Sequence, residues 1–160
     1  MSRYLRPRVP GASVFFTVTL TDRRSRLLVQ EVAALRHAVR ATRAERPFQI
    51  DAWVVLPDHL HCIWTMPEDD ADYSTRWRLI KTRFSRRLPV GPLRPSHEAR
   101  QERGLWQRRF WERHIRNEAD FAAHLRYCWG NPVKHGLVEK PEDWPYSSVH
   151  RDIRSGRYGW

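Results

Sequence analysis

The sequence predicts an α+β domain in which an antiparallel sheet carries its helices on one face. Three observations predict it. Stretches of strand character alternate with stretches of helical period, two of the strand stretches are close enough to form a hairpin, and 160 residues suit one compact domain.

Ser13 to Leu20, SVFFTVTL, is rich in β-branched and aromatic residues and ends at the polar turn Thr21-Asp22-Arg23-Arg24, which makes it the first strand. From about residue 30 to 46, Val32, Leu35, Val39 and Thr42 recur at helical spacing among arginines and glutamates, and Pro47 stops the amphipathic helix. Phe48 to Leu56 reads as a second strand, Pro57-Asp58 as a turn, and Leu60 to Met66 as a third strand, a hairpin. The acidic run Pro67 to Asp72 precedes a second helix, where the helix dipole favours carboxylates. In that helix Tyr73, Trp77, Ile80, Phe84 and Leu88 form an apolar stripe with basic residues around it.

Residues 89–104 carry prolines and glycines without periodicity and read as a mobile loop, a possible arm for nucleic acid. Leu105 to Ile115 returns as a strand near the sheet edge. Asn117 with Asp120 resembles a capping box that opens a third helix running until Pro132, and the tail from about residue 136 to 160 is irregular. The order strand, helix, strand, strand, helix, strand, helix fits a ferredoxin-like arrangement within a single domain spanning residues 1–160.

A composition of 41% hydrophobic and 29% charged residues excludes wholesale disorder, and the mean hydropathy of −0.72 requires a very polar surface. The net charge of +11 is uneven: twelve basic residues against three acidic ones between Arg76 and Arg113 supply +9 of it. Such density points to a polyanion, most simply nucleic-acid phosphates. No apolar run is long enough to span a membrane, and the opening MSRYLRPRVPG lacks a signal peptide's hydrophobic core. Two cysteines outside any CxxC pair argue against a disulfide framework, and a cytoplasmic location follows as the default.

Within VVLPDHLHCIW, His59 and His61 stand two residues apart on a strand, so both point to one face, roughly 7 Å apart along the chain. Leu60, Cys62 and Trp64 then point the other way, into a core. On the third helix Asp120, His124, Tyr127 and Asn131 recur at helical spacing beside the apolar Phe121, Leu125 and Cys128. Taken alone, Tyr127 reads rather as a half-buried packing residue and Asn131 as a helix C-terminal residue before Pro132. Together, two imidazoles and a side-chain carbonyl can hold a divalent ion and leave positions open for a phosphate oxygen. A phenol, a poor nucleophile at its usual pKa of about 10, can attack a phosphorus polarised in this way, and the phosphotyrosine conserves the bond energy for later rejoining.

His59-Leu60-His61 after an apolar strand, Tyr127 with Asn131-Pro132-Val133, Trp106-Gln107-Arg108-Arg109-Phe110-Trp111-Glu112 and Asp143-Trp144-Pro145-Tyr146-Ser147-Ser148 together resemble the REP-associated tyrosine transposases, relatives of the single-tyrosine transposases of the HUH superfamily. The resemblance runs from about Tyr4 to Arg157. It implies a ferredoxin-like HUH endonuclease domain and Mg²⁺- or Mn²⁺-dependent cleavage of single-stranded DNA beside REP hairpins, leaving a 5′-phosphotyrosine. His59 and His61 match the metal ligands, Tyr127 the nucleophile, and Asn131 the third ligand, with His124 or Asp120 as substitutes. Mn²⁺ accepts mixed nitrogen and oxygen ligands more readily than Mg²⁺ and is expected to serve at least as well.

Arg76, Arg78, Lys81 and Arg83 on the second helix and Arg108, Arg109 and Arg113 on the return strand are expected to grip phosphates, and Arg3, Arg6 and Arg8 to contact the hairpin or its flanking guide. Trp53, Trp64 and Trp77 are expected to pack, and Trp106, Trp111 and Trp160 to be available for stacking on unpaired bases. Two rivals stand beside this reading: a nuclease whose metal-bound water attacks while Tyr127 is structural, and a noncatalytic single-stranded nucleic-acid-binding module.

Overall fold

The computed structural model describes residues 5–88 and 104–159. The chain runs β1 (Ser13–Thr19), α1 (Leu27–Gln30), α2 (Val32–Glu45), β2 (Gln49–Val55), β3 (His59–Thr65), α3 (Tyr73–Arg86), β4 (Trp111–His114), α4 (Glu118–Lys134), a 3₁₀ turn (Pro141–Asp143) and α5 (Val149–Arg154). The four strands pair antiparallel in the order β2-β3-β1-β4. The expected α+β antiparallel sheet is present, with β1 and β3 as its inner strands. Arg3, Trp160 and nearly all of the expected 89–104 loop lie outside the described residues.

One part of the expectation is corrected, since the helices do not all lie on one face. Val14, Phe16 and Val18 of β1 and Leu60, Cys62 and Trp64 of β3 pack beneath α2 and α3. Phe15, Ala52, Val54 and Ile63 point the other way and meet Leu125, Cys128 and Trp129 of α4. The cause is legible in hindsight. Phe15 and Phe16 are adjacent in β1, and six of the seven β3 residues are buried, so both faces of the inner strands need an apolar layer.

Under α2 and α3, Trp64 stacks on Trp77 with ring centroids 4.3 Å apart and planes 16° from parallel. Arg76 lies in this layer too, only 1% exposed, where its guanidinium donates to the carbonyls of Arg46, Pro47 and Asp72 and to Asp70 Oδ2. It ties α3 to the end of α2 and is not a phosphate contact. The preceding Asp72 caps α3 by accepting from the Thr75 amide at 3.0 Å.

Helix α4 starts as expected, with Asn117 accepting from the Asp120 amide at 2.8 Å. It does not stop at Pro132 but continues to Lys134. A proline this near a helix end costs only one hydrogen bond. The stop comes from Gly136 at φ +69°, where the Gly136 amide bonds Val133 and the Leu137 amide bonds Pro132.

The tail is more ordered than expected. Trp144 and Val149 join the apolar layer under α4. The Val55 amide donates to the Tyr146 carbonyl, the Ser148 amide to the Trp53 carbonyl, and the Trp53 amide to Ser148 Oγ. Tyr146 to Ser148 therefore runs along β2 as an additional short edge. The expected long return strand reduces to β4 plus one bridge between Leu20 and Trp106.

Candidate active site

His59 and His61 occupy the first and third positions of β3, on the face turned to α4, with ring centroids 4.9 Å apart. Each ring is oriented by its Nδ1. His59 Nδ1 meets Asp58 Oδ1 at 2.8 Å, and His61 Nδ1 meets Thr17 Oγ1, directly across in β1, at 2.7 Å. Both Nε2 atoms are thereby left for another use, and that of His61 is buried without a hydrogen-bond partner.

Burial lowers the pKa of both imidazoles, and for His61 it works with the neighbouring His59 to bring the value to about 3. The hydrogen bond that His59 donates to Asp58 offsets part of the shift at His59. At neutral pH both rings are unprotonated, the form that binds metal. Burial works against the Asp58 carboxylate, yet hydrogen bonds from Arg23 and His59 hold its pKa below the usual range.

Helix α4 delivers the other groups. Tyr127 is 39% exposed, and its ring lies 5.2 Å from that of His61, nearly edge-on at 71°. Phe15 separates the site from the core, stacked on His61 at 5.6 Å and edge-on to Tyr127 at 5.8 Å. Lys134 lies over the Tyr127 ring at 5.0 Å and donates to the phenol oxygen at 3.4 Å. One turn after Tyr127, Asn131 is fully buried with its amide close enough to His61 to raise that ring's pKa slightly, yet neither amide atom makes a hydrogen bond of normal geometry.

Of the two substitute ligands, Asp120 is committed to other partners, while His124 is held through its Nδ1, which leaves its Nε2. His124 Nδ1 bonds the Asp120 carbonyl at 2.8 Å, and the Asp120 carboxylate accepts from the Arg116 amide and pairs with Arg113 at 3.6 Å. Among the described residues no three His, Cys, Asp or Glu side chains converge as a metal site, and Asn131 is the residue of the expected third-ligand set that lies buried beside His61. The residue that sequence reading missed is His135, exposed beside His59 with ring centroids 5.1 Å apart. Its spacing of four from Asn131, at the C-cap of the same helix, was the available signal.

The expected DNA-contacting cations divide. Arg8, Arg78, Arg108, Arg109 and Arg113 are exposed. Arg78, Lys81 and Arg108 line a groove of about 620 Å³ on the α3 side, floored by Trp106 and Phe110. Arg6 is held by an ion pair to the buried Glu112 and sits 3.8 Å above the Phe110 ring. Arg83 bonds Thr42 and Glu45 of α2, and Lys81 donates to the Gln107 carbonyl at 3.0 Å. Trp106, expected to be available for stacking, is instead buried against Phe84.

No family model matches the chain. A REP-associated tyrosine transposase from Escherichia coli strain K12 is 47% identical over 158 residues, 99% of this chain and 88% of that protein. A relative from Haemophilus influenzae bearing the same family name is 42% identical over 160 residues, 99% of this chain and 91% of its own length. A solved REP-associated tyrosine transposase bound to a REP hairpin superimposes with a TM-score of 0.86 at 47% identity, covering 99% of this chain and 89% of the other.

Proposed function

The chain belongs to the REP-associated tyrosine transposases, and from that premise we propose that it cuts and rejoins single-stranded DNA at REP-type hairpins through a 5′-phosphotyrosine on Tyr127, using Mg²⁺ or Mn²⁺. The observation that carries the reading is the meeting, within one chain, of the Tyr127 ring with the His61 ring at 5.2 Å, next to three buried polar atoms that lack partners, His61 Nε2, Asn131 Oδ1 and Asn131 Nδ2. A noncatalytic binding module has no use for such a cluster, because each unpartnered buried polar group costs about 1–3 kcal/mol.

The donor set fits a divalent ion: His59 and His61 through Nε2, and Asn131 through its amide oxygen. Such an ion, when bound, draws charge from the scissile phosphate and eases attack at phosphorus. The chain's own groups supply the rest. Asp58 and Thr17 hold the imidazoles by their Nδ1 atoms, so neither ring has to be ordered at the moment of binding. The Tyr127 oxygen forms a bond to phosphorus as the bond from phosphorus to O3′ breaks, the phenol gives up its proton, and the departing O3′ takes one up. Lys134 places an ammonium where negative charge gathers on the phenol oxygen. Reversal, with a 3′-hydroxyl attacking the phosphotyrosine, reseals DNA without ATP.

Arg8, Arg78, Arg108, Arg109 and Arg113, all exposed, are the members of the expected set that we assign to the DNA backbone. No helix among the described residues is long and apolar enough to cross a membrane. The buried thiols of Cys62 and Cys128 are unpaired, which suits the reducing cytoplasm where chromosomal DNA lies.

The test is to incubate the protein and Mn²⁺ with a labelled REP hairpin carrying single-stranded flanks. A labelled species that survives denaturation and disappears on protease treatment is expected, with Mn²⁺ at least as effective as Mg²⁺. Tyr127→Phe is expected to lose both the adduct and cleavage. Cleavage that persists in that variant would instead favour water as the nucleophile.

A further inference from the structure

Trp111 stands apart from the other described tryptophans. It is 65% exposed, whereas Trp64, Trp77, Trp106, Trp129 and Trp144 are buried and Trp53 is half-buried. Packing does not require an indole here. The next residue, Glu112, turns inward to its ion pair with Arg6, and Trp111 points to the opposite face of β4.

That face is the one that carries the imidazoles. Thr17 of β1 pairs with His61 on one side and with Trp111 on the other, and paired residues on antiparallel strands share a face. Two strand spacings therefore separate His61 from Trp111, about 10 Å. Only Thr17 lies between them, its hydroxyl already bonded to His61 and its side chain half-buried. Helix α4 covers the neighbouring part of the face, where Phe15 meets His124 and Tyr127. Beyond it, Thr17 and Thr19 form a low, half-exposed floor with the imidazole pair on one side and an exposed indole on the other. Arg113, across from Phe15, is an exposed cation on the same face of β4.

A strand whose phosphate lies at the imidazoles has its next base about one nucleotide's reach away, where this indole waits. We propose that Trp111 is the stacking platform for the base of a nucleotide adjoining the scissile phosphate. This rests on the reading of Tyr127 and the imidazoles as the cleavage centre. Trp111 is a positioning residue: it holds the strand in register and takes no part in bond making. Because every base offers a π-face, the contact fixes position without selecting sequence.

The experiment is an abasic scan. A fluorescein-labelled REP-hairpin oligonucleotide with single-stranded flanks is made with each flanking position abasic in turn, and affinity is read by anisotropy in EDTA, so that no cleavage intervenes. For the unaltered protein one abasic position is expected to weaken binding roughly 5- to 100-fold. In Trp111→Ala that same position is expected to cost nothing further, Trp111→Phe is expected to restore most of the sensitivity, and the melting temperature is expected to stay unchanged. The position should lie within two nucleotides of the one joined to Tyr127, mapped separately from the protease-sensitive adduct in Mn²⁺.

The platform is overturned if no abasic position loses its effect in Trp111→Ala, or if the coupled position lies remote from the adduct. Failure of the unaltered protein to form any adduct would sink the Tyr127 reading instead. The platform would then stand or fall on the coupling alone.

Discussion

On the face that carries Val14, Phe16, Leu60, Cys62 and Trp64, α2 and α3 close over an apolar layer. On the opposite face, α4 closes over two imidazoles, a buried amide and a half-exposed phenol. Both faces draw on one stretch of β3, since His59 and His61 alternate with Leu60 and Cys62. The difference teaches that the period of two along a strand separates holding from reacting. Residues that anchor β3 and residues that present the imidazoles are chain neighbours, yet they meet different partners. Unpaired polar atoms are not by themselves the mark of the reacting face: the indole N–H groups of Trp64 and Trp77 are unpaired too. Those are donors among aromatic rings, and the unpaired acceptors Glu112 Oε1 and His114 Nε2 lie on the anchoring face, where Glu112 is already paired with Arg6. On the α4 face the unpaired acceptors of His61 and Asn131 stand together beside a second imidazole.

Substitutions that touch one face alone sharpen this contrast. The largest effect is expected from Trp64→Ala on the anchoring face, where removing the indole stacked on Trp77 should cost about 3–5 kcal/mol of unfolding free energy. Denaturant titration measures it. Unfolding as easy as in the unaltered protein would mean that the stacked pair is not what holds the layer.

Asp58→Ala acts on the reacting face and is expected to weaken Mn²⁺ binding about 10- to 100-fold, since His59 loses the partner that orients its ring. Calorimetric titration reads this, and a melting temperature close to that of the parent keeps the effect on the site.

A smaller effect separates two arginines that are neighbours in charge but not in role. Arg78→Ala should reduce the slope of log affinity for DNA against log salt by about 1 and leave stability unchanged. Arg76→Met should do the reverse, because the Arg76 guanidinium is spent on Arg46, Pro47, Asp70 and Asp72. Equal salt slopes for both variants would dissolve the distinction.

The smallest effect is in pH. Burial holds the folded-state pKa of His59 and His61 below 6.5, so between the folded value, about 3 for His61, and 6.5 the unfolded chain binds more protons than the folded one. Stability of the metal-free protein is therefore expected to be full above pH 6.5 and to decline as pH falls through 6 to 5. Thermal melts across that range should show a shallower decline in His61→Gln.

The sequence made strands and long helices legible because their apolar periods survive any tertiary context. It placed His59, His61, Tyr127 and Asn131 on the right elements for the same reason. What it concealed depends on contacts between distant segments. Arg76 and Arg78 look alike in a basic helix, and only the carbonyls at the end of α2 distinguish them. Asp58 reads as a turn residue until its carboxylate is seen on His59. The layer under α4 was announced by adjacent phenylalanines at 15 and 16, yet the sequence alone did not say which helix would cover the second. The order in the tail was hidden because Trp144, Tyr146 and Ser148 make strand-like contacts without a strand-like pattern.

The short run from Tyr146 to Ser148 along β2 has a practical consequence. An uncovered outer strand is a template on which another polypeptide can polymerise, and here that template is filled by residues 146–148 of the same chain. A chain shortened before Pro145 would keep its chemical groups yet bare a sticky margin. Its failure would show as insoluble protein before it showed as lost catalysis.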